Sequence, residues 1–277
     1  SQPEWLSRYA VLGEREPCTC GTAIVSCLFW NDVARAFAAL SGEPFDPSFE
    51  NAYVQTIGTT PMTPLLNVAV QSLLMVANRS WLELAGMVIP PVSWNAHAAR
   101  RNGLLFRAIR QVSRKRVVVD ASKDPLRLKT LYVSDPESVR VVWLIRDGRA
   151  ITWSTVRRLG LSVERAAFAW LRVNVRTHLL LRTIPADRRI LVKYEDLCSH
   201  PQRELDRIVH LLGEESCTFS PMLAKDNAHF VGGNLMRHRV AEQALELDDA
   251  WRRGLSARDV RRFDRIAGWL NRRFGYG

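Results

Sequence analysis

The chain has 277 residues, of which 47% are hydrophobic and 24% are charged, and this composition excludes a chain that is disordered throughout. Its formal net charge of +11 suits an anionic partner such as a nucleotide, a nucleic acid, an acidic substrate or an anionic membrane. Much of that charge lies in scattered Arg-Arg pairs, which are typical of solvated helix faces, so the charge alone assigns no function.

The cysteines are the first feature along the chain. Cys18, Cys20 and Cys27 lie near the start, whereas Cys198 and Cys217 stand alone. An odd number of cysteines without a visible secretion signal argues against a disulfide framework and predicts a reducing, cytoplasmic location. Because C-T-C followed by a cysteine seven residues later is poor zinc spacing, we expect small buried or semi-buried thiols and no metal; a metal site is the less favoured alternative.

The longest apolar stretch runs from Pro64 to Val92 and is interrupted by polar and charged residues. Such residues are costly in a lipid core, so the stretch predicts buried helices and no membrane span. The length allows one large α/β domain or two smaller ones, and because no Pro/Gly/Ser-rich linker divides the sequence we expect residues 1–277 to form a single domain.

Three short, nearly continuous apolar runs predict strands at Lys115–Ser122, Val139–Asp147 and Arg189–Glu195. Runs of this kind suit parallel strands that are covered on both faces. Helical stripes cover residues 161–180, residues 205–212 between S-H-P-Q and Gly213, and residues 260–274 behind a cap at Ser256. The alternation predicts an α/β fold with a mostly parallel central sheet flanked by helices.

Polar residues follow each predicted strand. They are Ser122 and Lys123, Arg146 and Asp147, and Tyr194 and Glu195. Because ligands of parallel sheets bind where the carboxyl ends of the strands emerge, these side chains predict an anion site at one edge of the sheet.

One strand end carries a recognisable motif. The segment Trp143–Arg158, W-L-I-R-D-G-R-A-I-T-W-S-T-V-R-R, resembles the 3′-phosphate-binding segment of sulfotransferases that use 3′-phosphoadenosine-5′-phosphosulfate. The resemblance implies that Arg146 and Ser154, eight residues later, contact the 3′-phosphate of the donor. Arg149 would pair with Asp147 or help to hold the anion. The alternative is an ordinary salt-bridged turn between a strand and a helix.

Two further strand ends resemble the same family. The segment D-A-S-K-D-P-L-R-L, Asp120–Leu128, is similar to its K-D-P segment, which implies that Lys123 reaches the leaving phosphate or the transferring sulfonate. The segment Y-E-D-L-C-S-H-P, Tyr194–Pro201, resembles the Y-E-x-L-x-x-x-P segment of the family, which implies that Tyr194 lies near the nucleotide; Glu195 and Asp196 are expected to organise the turn. A surface lysine at a turn is the alternative for Lys123.

Two more motifs lie near the ends of the chain. The late segment H-F-V-G-G-N-L-M-R, His229–Arg237, resembles a Gly-Asn-x-x-Arg loop of bacterial members, which implies that Asn234 or Arg237 closes over the nucleotide. The early segment L-G-E-R resembles the region of the tyrosylprotein branch that supplies the catalytic carboxylate, so Glu14 is the candidate general base. An ordinary glycine loop and an ordinary exposed glutamate, with Glu16 close by, are the alternatives.

Together the motifs identify a sulfotransferase-like chain with a fold similar to that of P-loop NTPases. The resemblance implies sulfuryl transfer from 3′-phosphoadenosine-5′-phosphosulfate to an acceptor hydroxyl on a small molecule, glycan or peptide, without a metal. The alternative is an inactive nucleotide- or polyanion-binding remnant of the same fold. A nucleic-acid-binding protein is not favoured because the sequence lacks a recognition module and a basic-aromatic platform. The oligomeric state stays open.

One family element is not in the sequence. Sulfotransferases open with a strand and a Ser/Gly/Thr-rich loop that holds the 5′-phosphosulfate, whereas this sequence begins at S-Q-P-E-W, where the following helix would end. We therefore expect an N-terminally incomplete chain, with loss of the element by the protein as the alternative. On its own this chain is expected to be poorly stable and to transfer little sulfate.

Overall fold

The structure is a computed structural model that describes residues 18–45, 57–59, 64–88, 92–94, 96–218, 229 and 245–277. The helices of these ranges are α1 (Leu28–Ser41), α2 (Pro64–Val76), α3 (Arg79–Val88), α4 (Ala96–Ser113), α5 (Pro125–Ser134), α6 (Gly148–Leu159), α7 (Val163–Leu181), α8 (Tyr194–Ser199), α9 (Pro201–Leu212), α10 (Trp251–Gly254) and α11 (Ala257–Arg273). The strands are β1 (Ile57–Thr59), β2 (Val92–Trp94), β3 (Val141–Ile145) and β4 (Arg189–Lys193).

The described residues form two compact units. The first contains residues 18–45, 57–59, 64–67, 77–88, 92–94, 96–138 and 229, and the second contains residues 68–76, 139–218 and 245–277. The prediction of a single domain over residues 1–277 stays a prediction, and each unit is described by itself.

The first unit is built on helices α1 and α4, which pack against each other. Their contact buries Val33 and Phe37 of α1 together with Leu105 and Ala108 of α4. Strands β1 and β2 form an antiparallel pair, in which β2 contacts α3 and β1 contacts α5. Helix α1 ends at Gly42, whose φ of 75° lies in the left-handed region that glycine adopts without steric cost.

The second unit contains the parallel strand pair. Strands β3 and β4 run parallel from Val141 opposite Arg189 to Ile145 opposite Lys193. Helices α7 and α11 pack on the same apolar cluster as Ile145. The predicted fold class is confirmed as a helix-rich α/β structure with a short parallel sheet.

The strand predicted at Lys115–Ser122 does not form, which corrects that part of the sequence prediction. Residues 115–122 make no ladder in the described part of the chain. Val119 is 82% exposed and Val117 is 37% exposed, so the run buries neither face. An apolar run becomes a strand only when a partner receives its backbone hydrogen bonds.

The three predicted helical stripes form helices with the expected ends. Ser256 caps α11 by accepting the amide of Asp259 at 3.2 Å, and Gly213 closes α9 with a φ of 66°. Helix α9 begins at Pro201 without a side-chain cap, because proline needs no amide partner there. The apolar stretch after Pro64 forms helices α2 and α3, and none of the helices in the described ranges is long and apolar enough to cross a membrane.

Candidate functional site

The ends of β3 and β4 bring two predicted site residues together. Because Ile145 lies opposite Lys193 in a parallel register, the residues that follow, Arg146 and Tyr194, leave the same edge of the sheet. The guanidinium carbon of Arg146 lies 4.5 Å from the centre of the Tyr194 ring. This cation–π contact fixes the direction of the arginine side chain at the strand end.

Asp147 organises the turn that follows Arg146. Its carboxylate caps α6 by accepting the amide of Arg149 at 2.9 Å, and it also accepts the Arg149 guanidinium at 2.7–3.2 Å. Asn271 of α11 donates to the same carboxylate at 3.2 Å. Of the two roles left open for Arg149, the structure therefore shows the pairing with Asp147.

Gly148, the first residue of α6, is required by packing. A Cβ at this position would lie 2.5 Å from Cζ of Phe263 and 3.0 Å from Cδ2 of Trp170. Both aromatic rings belong to the core of the second unit. The glycine of the R-D-G-R segment thus lets the start of α6 lie directly on these rings.

Glu195 ties the two strand ends to the last residues of the chain. It accepts the backbone amide of Asp147 at 3.2 Å and the hydroxyl of Tyr276 at 2.6 Å. Burial, together with the Glu195 carboxylate, raises the pKa of Tyr276, so its hydroxyl stays protonated and donates. The turn-organising role that the resemblance implies for Glu195 agrees with these contacts.

Asp248 is the acidic residue that binds Arg146, and no motif in the sequence singles it out. Arg146 pairs with the Asp248 carboxylate at 3.0 Å and also donates to its backbone carbonyl. The Tyr194 hydroxyl donates to the carbonyl of Glu246 at 2.9 Å and accepts the amide of Asp248 at 3.3 Å. The residues around Asp248 thereby lie over the strand ends, and the Arg146 guanidinium holds a carboxylate.

Two pKa shifts describe the electrostatics of this edge. The hydrogen bond from Arg146 lowers the pKa of Asp248, so that carboxylate is ionised at neutral pH. Burial, followed by a hydrogen bond with the Cys198 thiol, raises the pKa of Tyr194. At this edge of the sheet the Arg146 cation is therefore paired with the Asp248 anion, and the neutral phenol of Tyr194 lies beside them.

Ser154 lies on α6 in a cavity that Asp248 also lines. The cavity measures about 250 Å³, and its lining residues are Trp153, Ser154, Arg157, Arg158, Asp248 and Ala250. Ser154 is exposed, so its hydroxyl is accessible to a ligand. The two basic side chains of α6 make this cavity suitable for an anion.

Lys123 lies in the first unit, directly before the Asp124 cap of α5. Its φ is 62°, a left-handed conformation that is unfavourable for a residue with a side chain. Neighbouring contacts support the strained turn, since Asp120 accepts the amide of Ser122 at 2.9 Å and the Arg127 guanidinium at 2.6 Å. Such strain is commonest at functional sites, and the Lys123 side chain is exposed.

Three predicted site residues, Glu14, Asn234 and Arg237, fall outside the described residues. Their roles remain predictions.

The three cysteines near the start of the chain lie close to His229, which is more than 200 positions later in the sequence. Cys18, Cys20, Cys27 and His229 place their sulfur and nitrogen atoms within 4.8 Å of one another. Cys18 and Cys27 are buried as expected, whereas Cys20 is exposed. The expectation of no metal depended on the spacing of the cysteines alone, and it did not anticipate the histidine.

Comparison with known proteins gives a family and a structure. A family model described as "Sulfotransferase family" matches residues 87–218. This segment includes Lys123, Arg146, Ser154 and Tyr194. Among solved structures, the chain is similar to a sulfotransferase domain from the curacin biosynthetic pathway, with 16% identity and a TM-score of 0.42 over 69% of this chain and 72% of that one. No curated protein matches the chain.

Proposed function

Because residues 87–218 belong to the sulfotransferase family, we propose that the chain transfers a sulfuryl group from 3′-phosphoadenosine-5′-phosphosulfate to an acceptor hydroxyl. The observation that carries the proposal is the ion pair at the end of β3. Arg146 stands where the family motif requires a phosphate-binding arginine, and it already holds an anion, the carboxylate of Asp248.

The second unit provides the groups for the nucleotide end of the donor. Arg146 offers a forked, charge-assisted donor that matches a phosphate. Ser154 adds a hydroxyl from α6, in a cavity that Asp248 shares, and Tyr194 lies against the Arg146 guanidinium. The 3′-phosphate would replace the Asp248 carboxylate beside Arg146, which exchanges one anion for another.

The reacting end of the donor is assigned to Lys123 and Glu14. The ammonium of Lys123 would stabilise the charge that develops on the leaving phosphate when its S–O bond breaks. Glu14 would accept the proton of the acceptor hydroxyl as the oxygen attacks sulfur in line. Asn234 and Arg237 would close over the nucleotide. The acceptor is a hydroxyl compound of one of the classes considered above, namely a small molecule, a glycan or a peptide.

Nucleotide binding tests the proposal directly. We expect the chain to bind 3′-phosphoadenosine-5′-phosphate in isothermal titration calorimetry, and to bind adenosine 5′-phosphate more weakly because that compound lacks the 3′-phosphate. Transfer from a radiolabelled donor to a panel of phenols, glycans and peptides is then measured with the same protein.

The outcomes separate the alternatives. Nucleotide binding with sulfation supports the enzyme, whereas binding without transfer to any acceptor favours the inactive remnant. Failure to bind the nucleotide would overturn the placement of the donor site. A salt-sensitive complex with random DNA, without nucleotide binding, would point to nucleic acid as the partner.

Asp248 competes with the proposed phosphate, and this gives a testable effect. Replacing Asp248 with asparagine keeps an acceptor for the amide of Ala250, which Asp248 binds at 3.2 Å, but removes the charge that Arg146 holds. The carboxylate is 58% exposed, so the pair contributes only about 0.5–1 kcal/mol. We therefore expect 3′-phosphoadenosine-5′-phosphate to bind about two- to fivefold more tightly.

The adjacent, exposed Asp249 provides the control for this measurement. Asp249→Asn removes the same charge one residue away, and calorimetry should show a smaller change in affinity. Equal gains in the two variants would mean that net charge, and not the ion pair with Arg146, sets the affinity.

A further inference from the structure

The early cysteines and one distant histidine form a compact ligand set in the first unit, which we name the thiol–imidazole cluster (Cys18, Cys20, Cys27 and His229). Nδ1 of His229 lies 3.6 Å from the sulfur of Cys18 and 3.3 Å from that of Cys27. The sulfurs of Cys20 and Cys27 lie 3.6 Å apart. All four ligand atoms fall within 4.8 Å of one another.

The local backbone explains how two cysteines that are close in sequence reach the same point. Cys18 and Thr22 form a tight turn in which the Cys18 amide donates to the Thr22 carbonyl at 2.8 Å. Gly21 makes this turn possible with a φ of 89°, and its amide donates to the Cys18 carbonyl at 2.9 Å. The turn directs the side chains of Cys18 and Cys20 toward the same cluster.

The third sulfur and the imidazole are held by α1. Cys27 is the residue that precedes α1 and forms its N-cap, so the start of the helix positions its sulfur. The His229 ring stacks on Phe29 of the same helix, with the ring centres 4.5 Å apart and the planes only 5° from parallel. This stacking holds the ring while Nδ1 faces the sulfurs of Cys18 and Cys27.

The distances fit a tetrahedral metal site. With Zn–S bonds of about 2.3 Å and a Zn–N bond of about 2.0 Å, tetrahedral ligands lie about 3.8 Å apart for sulfur pairs and about 3.5 Å for sulfur and nitrogen. The observed separations of 3.3–3.6 Å between neighbouring ligand atoms are close to these values. Three sulfurs and one imidazole nitrogen are also a ligand set of structural zinc sites.

Burial supports a metal over free thiols. Cys18 is fully buried and Cys27 is 1% exposed, and both belong to the apolar cluster around α1 and α4. The half-buried imidazole of His229 contacts both of these sulfurs, and a cation bound by both residue types would satisfy the imidazole nitrogen and the sulfurs together. The hydroxyl of Thr22 lies 3.1 Å from the Cys20 sulfur, where it can donate to a thiolate as an outer partner of a metal.

We propose that the thiol–imidazole cluster binds one zinc ion in a structural site. Zinc suits the cluster because thiolate and imidazole are its preferred ligands in closed, four-coordinate sites. The metal would join the turn at Cys18 to His229, which are separated by 211 positions in the sequence. His229 is also the first residue of the H-F-V-G-G-N-L-M-R segment, so the ion would anchor the beginning of that segment.

Metal analysis tests the site without reference to activity. The full chain is expressed with zinc in the medium, purified without chelators and analysed by inductively coupled plasma mass spectrometry, and one zinc ion per chain is expected. Replacement of zinc by Co²⁺ should give the intense visible bands of a tetrahedral cobalt site together with sulfur-to-metal charge transfer in the near ultraviolet. Removal of zinc by a chelator should lower the thermal unfolding temperature.

Variants identify the ligands. Cys20→Ser removes the exposed ligand and leaves the buried packing intact, so we expect a folded protein whose zinc affinity falls by more than the roughly 10–100-fold caused by loss of an outer partner. His229→Cys should keep zinc and shift the cobalt bands, whereas His229→Ala should lose it. Cys217→Ser is the matched control, because Cys217 is an exposed free cysteine outside the cluster, and it should keep one zinc ion.

Several results would overturn the proposal. They are a folded wild-type chain without zinc, equal zinc content in wild type, Cys20→Ser and His229→Ala, a disulfide among the cluster cysteines in freshly purified protein, or bound iron with visible colour. Circular dichroism establishes that each variant is folded. Nucleotide binding is a separate measurement, so failure of the zinc site and failure of the proposed donor site are distinguishable.

Discussion

Turnover is expected to fall by roughly 10²–10⁴-fold when Glu14 is replaced by glutamine, because a general base contributes a factor of this size. Glutamine has the shape of glutamate but cannot accept the proton of the acceptor hydroxyl. The affinity for 3′-phosphoadenosine-5′-phosphate should change little, since the proposed role of Glu14 concerns the acceptor and not the nucleotide. Steady-state transfer rates and calorimetry on the same preparations measure the two effects.

Glu16 provides the matched control for this experiment. It lies two residues beyond Glu14 in the same L-G-E-R-E stretch, so Glu16→Gln introduces the same change of charge nearby. Transfer by the Glu16 variant should remain close to that of the wild type. A large loss in Glu16→Gln with normal transfer in Glu14→Gln would reassign the base to Glu16.

Loss of the Arg146 guanidinium is expected to weaken binding of 3′-phosphoadenosine-5′-phosphate by about ten- to a hundredfold. A hydrogen bond to a charged group contributes about 1.5–3 kcal/mol, and alanine leaves the proposed 3′-phosphate without its forked partner. The fold should tolerate the change, because the Asp248 carboxylate that Arg146 binds is largely exposed and is solvated once the arginine is gone. Calorimetric titration of Arg146→Ala measures the loss.

Two further variants make this test specific. Arg146→Lys keeps a positive charge but not the fork, so its affinity should fall between those of wild type and Arg146→Ala. Arg253→Ala removes an exposed arginine elsewhere in the second unit and should bind the nucleotide normally. Equal affinity of Arg146→Ala and wild type would show that the donor site has been misplaced.

The sequence predicted the part of the site that depends on two strands. Apolar runs ending in charge marked β3 and β4, and their parallel pairing placed Arg146 beside Tyr194 as expected. The same reasoning failed for Lys115–Ser122, because an apolar run does not reveal whether a partner strand is available to it. The hydrophobic pattern describes a single segment, whereas a β-strand also needs a second segment that accepts and donates its backbone hydrogen bonds.

Asp248 and His229 show that local sequence patterns do not reveal which distant residues come into contact. Asp248 lies among other acidic residues, and only the tertiary structure shows that it is the one that meets Arg146. The cysteine spacing argued against a metal, and it could not include His229, the fourth member of the thiol–imidazole cluster, which is 202 positions away from Cys27. A late histidine in an apolar segment was visible in the sequence, but nothing local connected it to the early cysteines.

The contact between Gly148 and the two core rings also bears on how this family should be read across species. A glycine close to the proposed phosphate-binding residue Arg146 invites the interpretation that the ligand needs the space, yet here the space is filled by Phe263 and Trp170. Substitutions at the positions of Gly148 and Phe263 should therefore occur together during evolution. Homologues that carry alanine in the R-D-G-R position should have lost bulk at the position of Phe263, whatever substrate they sulfate.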